Sequence, residues 1–135
     1  MASGIVRQVI GTVVDLEFPS GELPGIYNAV NIDMNGTRLV AEVQQHLGNN
    51  WVRALALDST DGLARGATVE DTGRAISVPV GPVTLGRIFN VIGEALDPGE
   101  AIPANQERWE IHRPAPSYAD QETSAQMLET GIKVI

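Results

Sequence analysis

The chain has 135 residues, 43% of them hydrophobic, which is enough for one well-packed core with a smaller appended piece. Seventeen acidic residues against nine basic ones give a formal net charge of −8. The basic residues Arg7, Arg38, Arg53, Arg65, Arg74, Arg87, Arg108, Arg113 and Lys133 are scattered, so nucleic acid is not an expected partner. The absence of cysteine excludes disulfides and thiolate metal sites, and neither His46 nor His112 has a second ligand at metal-site spacing, so no metal is expected.

Near the N-terminus the apolar residues are interrupted by Arg7, Gln8, Gly11 and Thr12, which matches neither a signal peptide nor a membrane span. A soluble chain made in a reducing compartment is expected. Alternation then dominates from Ile5 to about Val80. In Val14-Asp15-Leu16-Glu17-Phe18 the apolar side chains fall on one face and the acids on the other, as in a half-buried strand, and Gly11 before it reads as a bulge or bend. The turn formers Pro19-Ser20-Gly21-Glu22-Leu23-Pro24-Gly25 follow. Val30-Asn31-Ile32-Asp33-Met34 alternates again and runs into Asn35-Gly36, whose residue types suit the two positive-φ positions of a type I′ turn, so residues 29–44 are predicted to form a hairpin.

Beyond that turn Leu39, Ala41 and Val43 share one face, with Arg38, Val40, Glu42 and Gln44 on the other. Gly48-Asn49-Asn50 is a further turn, residues 51–57 form a strand, and Asp58-Ser59-Thr60-Asp61-Gly62 ends it. Residues 67–70 and 76–80 complete six short strands without an intervening helix, which predicts an all-β, six-stranded antiparallel barrel rather than a sandwich, because closure removes exposed edges.

After Val80 the period changes. Leu85, Ile88, Phe89 and Ile92 follow helical spacing, with Pro82 at the start and Gly93 where a left-handed cap belongs, predicting a short helix at 83–92. Residues 111–117, with Pro114 and Pro116, are expected to be extended. Thr130 is placed as the cap of a helix beginning at Gly131, inside which the chain ends.

Chemically suggestive residues are few. Asp58, Asp61, Glu70 and Asp71 sit near turns, where carboxylates more often bond the backbone than hold a cation. His46, Trp51 and Trp109 read as surface or packing residues. The glycines of Gly62-Leu63-Ala64-Arg65-Gly66 and Gly81-Pro82-Val83-Thr84-Leu85-Gly86 are not followed by the Lys-Ser/Thr pair of a phosphate loop, and Val134 follows the lone Lys133. No catalytic, cofactor-binding or metal-binding residue is assigned.

One stretch is more specific than any of these: Val78-Pro79-Val80-Gly81-Pro82-Val83-Thr84-Leu85-Gly86-Arg87-Ile88-Phe89-Asn90-Val91-Ile92-Gly93-Glu94. Together with residues 11–18, residues 52–66, Ile111-His112-Arg113-Pro114-Ala115-Pro116 and Glu129-Thr130-Gly131-Ile132-Lys133-Val134-Ile135, in this order, it resembles the N-terminal part of the F-type ATP synthase β subunits. The related α subunits resemble it less at residues 78–94 and 112–116.

The resemblance implies a crown barrel over residues 1–78 that holds an alternating α/β hexamer together around the rotating γ shaft, followed over residues 79–135 by the incomplete start of an α/β nucleotide-binding domain. The complete subunit would belong to the CF(1)-type head and use Mg-ATP/ADP. It would make ATP from ADP and phosphate, driven by hydrogen ion transport through the membrane proton channel. By the same resemblance the family's phosphate-gripping and catalytic residues lie beyond Ile135, so this polypeptide alone is expected to be inactive and to bind no nucleotide. Without a transit-like leader, the expected place is the cytoplasmic side of a bacterial plasma membrane, peripherally attached without direct insertion, in preference to an organellar inner or thylakoid membrane. The alternatives are a non-catalytic α-type subunit and a free-standing ligand- or oligonucleotide-binding barrel, the latter disfavoured by the net charge and by only six aromatic residues.

Overall fold

A computed structural model describes residues 2–127. Six strands, β1 (Ser3–Ile10), β2 (Val13–Glu17), β3 (Asn28–Met34), β4 (Thr37–Gly48), β5 (Trp51–Ala56) and β6 (Thr68–Ala75), close into an antiparallel barrel in the order β1-β2-β5-β4-β3-β6. Three connections are tight hairpins whose residues tolerate left-handed backbone. Gly11 has φ 59° between β1 and β2, Asn35 and Gly36 have φ 54° and 87° between β3 and β4, and Asn49 and Asn50 have φ 51° and 64° between β4 and β5. The predicted 29–44 hairpin is present, with Met34 paired to Thr37 across its turn. Gly11 is a hairpin residue rather than a bulge, and it splits the first apolar run into two strands.

The bulges lie elsewhere. Register shifts between Val6 and Gln8, between Val43 and Gln45, and between His46 and Gly48 each insert one extra residue, bending β1 and the long β4. A six-stranded sheet needs such bends to close tightly. The β1–β6 seam is the shortest, with three paired positions from Ser3–Glu70 to Ile5–Thr68, and is extended by the Gly66 amide donating to the Val6 carbonyl at 2.8 Å.

Inward-facing residues fill the barrel. Val6, Val14, Leu16, Phe18, Val30, Ile32, Leu39, Val43, Val52 and Val69 are buried, and Ala41, Ala54 and Ala56 provide the small residues where β4 and β5 face each other. This is the alternation read from the sequence, and removing these chains from water drives closure at roughly 1.5–3 kcal/mol per large side chain. Gly4 lies under Phe18 at the seam, where a Cβ would stand 2.5 Å from the Glu17 carbonyl oxygen. Only glycine lets the chain pass there.

Three further sequence expectations are overturned. Residues 76–80 do not supply a barrel strand: β7 (Ser77–Pro79) leaves the barrel and pairs with β8 (Arg108–Glu110) in a separate two-stranded sheet, and the sixth position belongs to β6, extended to Ala75. The 83–92 helix is also absent. Pro82–Thr84 makes one 3-10 turn, Gly86 has φ 70°, and residues 88–96 fold back on themselves with the Leu96 amide donating to the Ile88 carbonyl. Local hydrogen bonding wins over periodicity there, because the Asn90 side-chain oxygen accepts from the Ile92 and Glu94 amides and captures donors a helix would need. Finally, Asp15 is not on a solvated face but 3% exposed beneath Arg53. The helix placed after Thr130 lies outside the described residues.

Candidate functional site: the outer barrel wall and the segment docked on it

The glycine segments considered for phosphate binding are committed to turns. In residues 62–66 the Leu63 amide donates to the Thr60 carbonyl and the Gly66 amide to the Val6 carbonyl. At residues 81–86 the Thr84 hydroxyl and amide both donate to the Gly81 carbonyl. Neither segment leads from a strand into an α-helix, the arrangement that aims backbone amides at a phosphate.

Of the four acids singled out in the sequence, Asp58 and Asp71 bond the backbone, while Glu70 lies within β6 rather than at a turn. Asp58 accepts from the Ser59 amide, and Asp71 accepts from the Gly73 amide and the Asn28 side chain. Among the described residues no group of three His, Cys, Asp or Glu side chains could hold a metal ion. His46 Nε2 donates to the Pro24 carbonyl at 2.7 Å, a connection between β4 and the loop before β3. Trp51 is half-buried, whereas Trp109 is 46% exposed, carries the Arg113 guanidinium 3.7 Å above its ring and is therefore not a core residue.

What the geometry builds is a docking surface. Parts of residues 76–112 approach the outside of β3, β4 and β6 and line with them an open polar cleft of about 430 Å³ whose walls include Asn31, Arg38, Thr72, Arg74, Glu94 and Arg108. Arg38 on β4 pairs with Glu94 across this cleft. Below it, Glu42 is 6% exposed although it belongs to the outward face of β4. Its carboxylate meets His112 Nε2 at 2.9 Å and accepts from Gln44 Nε2. The His112 ring also stacks on Tyr27, centroids 4.2 Å apart and planes 25° apart.

Tyr27 is held at φ 69°, a conformation that costs a bulky residue of order 1–3 kcal/mol, and its amide donates to the Val43 carbonyl at 2.7 Å. A strained aromatic, a nearly buried carboxylate and an imidazole from a distant segment thus converge on one point. No local sequence pattern marks this cluster, because Glu42 and His112 are 70 positions apart and Tyr27 sits in an irregular loop.

The docked segment is itself locked by Arg87, which donates to Asp97 Oδ2 at 2.6 Å and to the Glu100 carbonyl, and by Asp97 accepting from the Ile88 and Gly99 amides. These donors hold the Asp97 carboxyl below its ordinary range, the Arg87 hydrogen bond being the largest cause and the Ile88 amide the next. On the barrel, Arg53 grips Asp15 through two parallel bonds of 2.8 and 2.9 Å, and its guanidinium is pushed further toward the charged form, chiefly by the hydrogen bond it donates to Asp15.

Beyond the cleft, the same segment displays apolar side chains to solvent: Leu85, Ile88, Val91 and Leu96 are each more than half exposed. Of the stripe that suggested a helix, Leu85 and Ile88 are exposed whereas Phe89 and Ile92 are half-buried, so the four do not share one face.

Residues 6–73, running from within β1 to within β6, match the family model described as ATP synthase alpha/beta family, beta-barrel domain, and the chain belongs to that family.

Proposed function

We propose that this polypeptide is the N-terminal portion of a catalytic, β-type subunit of a rotary, proton-translocating ATP synthase, and that its work is assembly. The observation that carries the reading is the combination of a closed barrel of this family with turn-bound glycine segments that offer phosphate no lysine and no helix N-terminus. Phosphoryl transfer depends on positioning a magnesium nucleotide and stabilising charge at the γ-phosphate, and no described residue is arranged for either. The β-type assignment rests on the resemblance of residues 78–94 and 112–116. The docked segment 76–112 then forms the start of a nucleotide-binding domain, and its exposed Leu85, Ile88, Val91 and Leu96 await the rest of that domain.

In this role the barrel packs beside α-type barrels in an alternating ring around the γ shaft, and Mg-ATP or Mg-ADP binds only in the complete subunit. The complex sits peripherally on the cytoplasmic face of a bacterial plasma membrane.

Two measurements test the reading. The purified 135-residue chain is mixed with α-type or with β-type subunits of a bacterial ATP synthase and mass is read by light scattering; capture of α-type subunits alone is expected, and capture of β-type subunits alone reverses the assignment. Calorimetry with Mg-ATP is expected to show no saturable heat, and hydrolysis that survives repurification overturns the assembly role. The oligonucleotide-binding alternative predicts a tight, salt-sensitive mobility shift, which the scattered arginines argue against.

A further inference from the structure

We propose that Asn35 is a site of spontaneous covalent modification, conversion to aspartate and isoaspartate, and that Asp33 acts as its brake. Asn35 is followed by Gly36, and no other asparagine of the chain precedes a glycine. Both residues are exposed at the tip of the β3–β4 hairpin, and a Cβ built on Gly36 would meet nothing within 4 Å, so the tip is open to solvent.

The chemistry needs only water and hydroxide. Hydroxide removes the proton from the Gly36 nitrogen, which then forms a bond to Asn35 Cγ. The Cγ–Nδ2 bond breaks, and the side-chain nitrogen takes a proton and leaves as ammonia. Water opens the resulting five-membered imide at either carbonyl, giving aspartate or isoaspartate. No electrons are gained or lost overall.

Two features oppose this reaction in the folded chain. Asn35 and Gly36 occupy the two left-handed positions of the turn, at φ 54° and 87°, and the Met34–Thr37 pair closes it, so the side chain must break the turn's geometry to reach the nitrogen. More specifically, the Gly36 N–H donates to Asp33 Oδ1 at 2.9 Å. The nitrogen that must become an anion therefore has an anion as its neighbour, and a like charge disfavours that ionisation.

The product has a structural consequence. Isoaspartate adds a methylene to the backbone of a two-residue turn with no slack, and the next cross-strand pair is Asp33–Arg38. Arg38 is the residue that reaches Glu94 on the docked segment. Modification at the tip is thereby linked to the hold of the barrel on residues 76–112.

The test incubates the full chain at pH 8, folded and in urea, and follows isoaspartate by enzymatic methyl labelling with fragmentation mass spectrometry to place it. Isoaspartate at residue 35 is expected ahead of the other asparagines, with Asn49 and Asn50 as internal controls that share positive φ but lack a following glycine. Asp33→Asn, which keeps an acceptor without the charge, should modify several-fold faster than the wild type, and Asp33→Ala at least as fast, with circular dichroism establishing that each remains folded. Absence of modification at residue 35 even in urea overturns the site. Equal or slower conversion in a folded Asp33→Asn overturns the brake.

Discussion

His112 and Glu42 meet at 2.9 Å across 70 positions of sequence, and that pair ties the segment leaving the barrel to the barrel's own wall. The contact is shielded on one side by the Tyr27 ring. Hydrogen bonds that satisfy a nearly buried carboxylate are worth more than exposed ones, since loss of a partner leaves the group desolvated.

His112→Ala is therefore expected to destabilise the chain by about 1 kcal/mol, a modest loss because Gln44 still donates to Glu42. Its clearer signature is local: tryptic cleavage after Arg108 should accelerate while amide exchange in β2 and β5 stays slow. A double-mutant cycle with Glu42→Ala should be strongly non-additive, and additive effects would show that the two residues act independently.

Arg53 and Asp15 give a second prediction. Arg53→Ala strands a carboxylate that is 3% exposed, so its urea midpoint should fall below that of Arg53→Lys, which keeps the charge but loses the fork. Replacing both residues by valine should recover stability relative to Arg53→Ala, because the uncompensated charge is then gone. A double variant less stable than Arg53→Ala would contradict this account.

At the seam, Gly4→Ala should cost about 1–3 kcal/mol, since the new methyl group meets the Glu17 carbonyl oxygen and Phe18 rather than open space. Gly21→Ala, where a Cβ meets nothing within 4 Å but φ is 83°, separates backbone strain from overpacking. Denaturation in urea at constant slope checks both.

Acid should loosen the docked segment before the barrel. The Asp97 carboxyl is held below its ordinary value by Arg87 and by the Ile88 and Gly99 amides, so it binds fewer protons folded than unfolded. Its contribution is fully present above the unfolded carboxylate pKa of about 3.9 and is lost as pH falls through the lower folded value. Hydrogen exchange at the Ile88 and Gly99 amides should accelerate in that range, and Asp97→Asn should remove the dependence. An unchanged acid profile in the variant would assign the effect elsewhere.

Period-two patterning and turn chemistry marked the barrel class and most of its strands. Val14, Leu16, Leu39, Ala41 and Val43 declared their inward face, and Asn35-Gly36 declared a hairpin, because strand burial and positive φ depend on residues adjacent in sequence. The resemblance to the family likewise lay in the residues themselves. The limits of that legibility are visible at Gly11, whose local signal marked a break in pairing but did not distinguish a bulge from a turn.

Only the tertiary structure decided the rest. Whether residues 76–80 close the barrel or leave it depended on competition between β6 and β8 for partners, and whether residues 83–92 become helical depended on Asn90 reaching the Ile92 and Glu94 amides. The burial of Asp15 and the Glu42–His112–Tyr27 cluster likewise required distant segments to arrive at one place. Local sequence carries the energies of neighbouring residues; contacts made across the closed sheet and its outer wall exist only once the chain has folded.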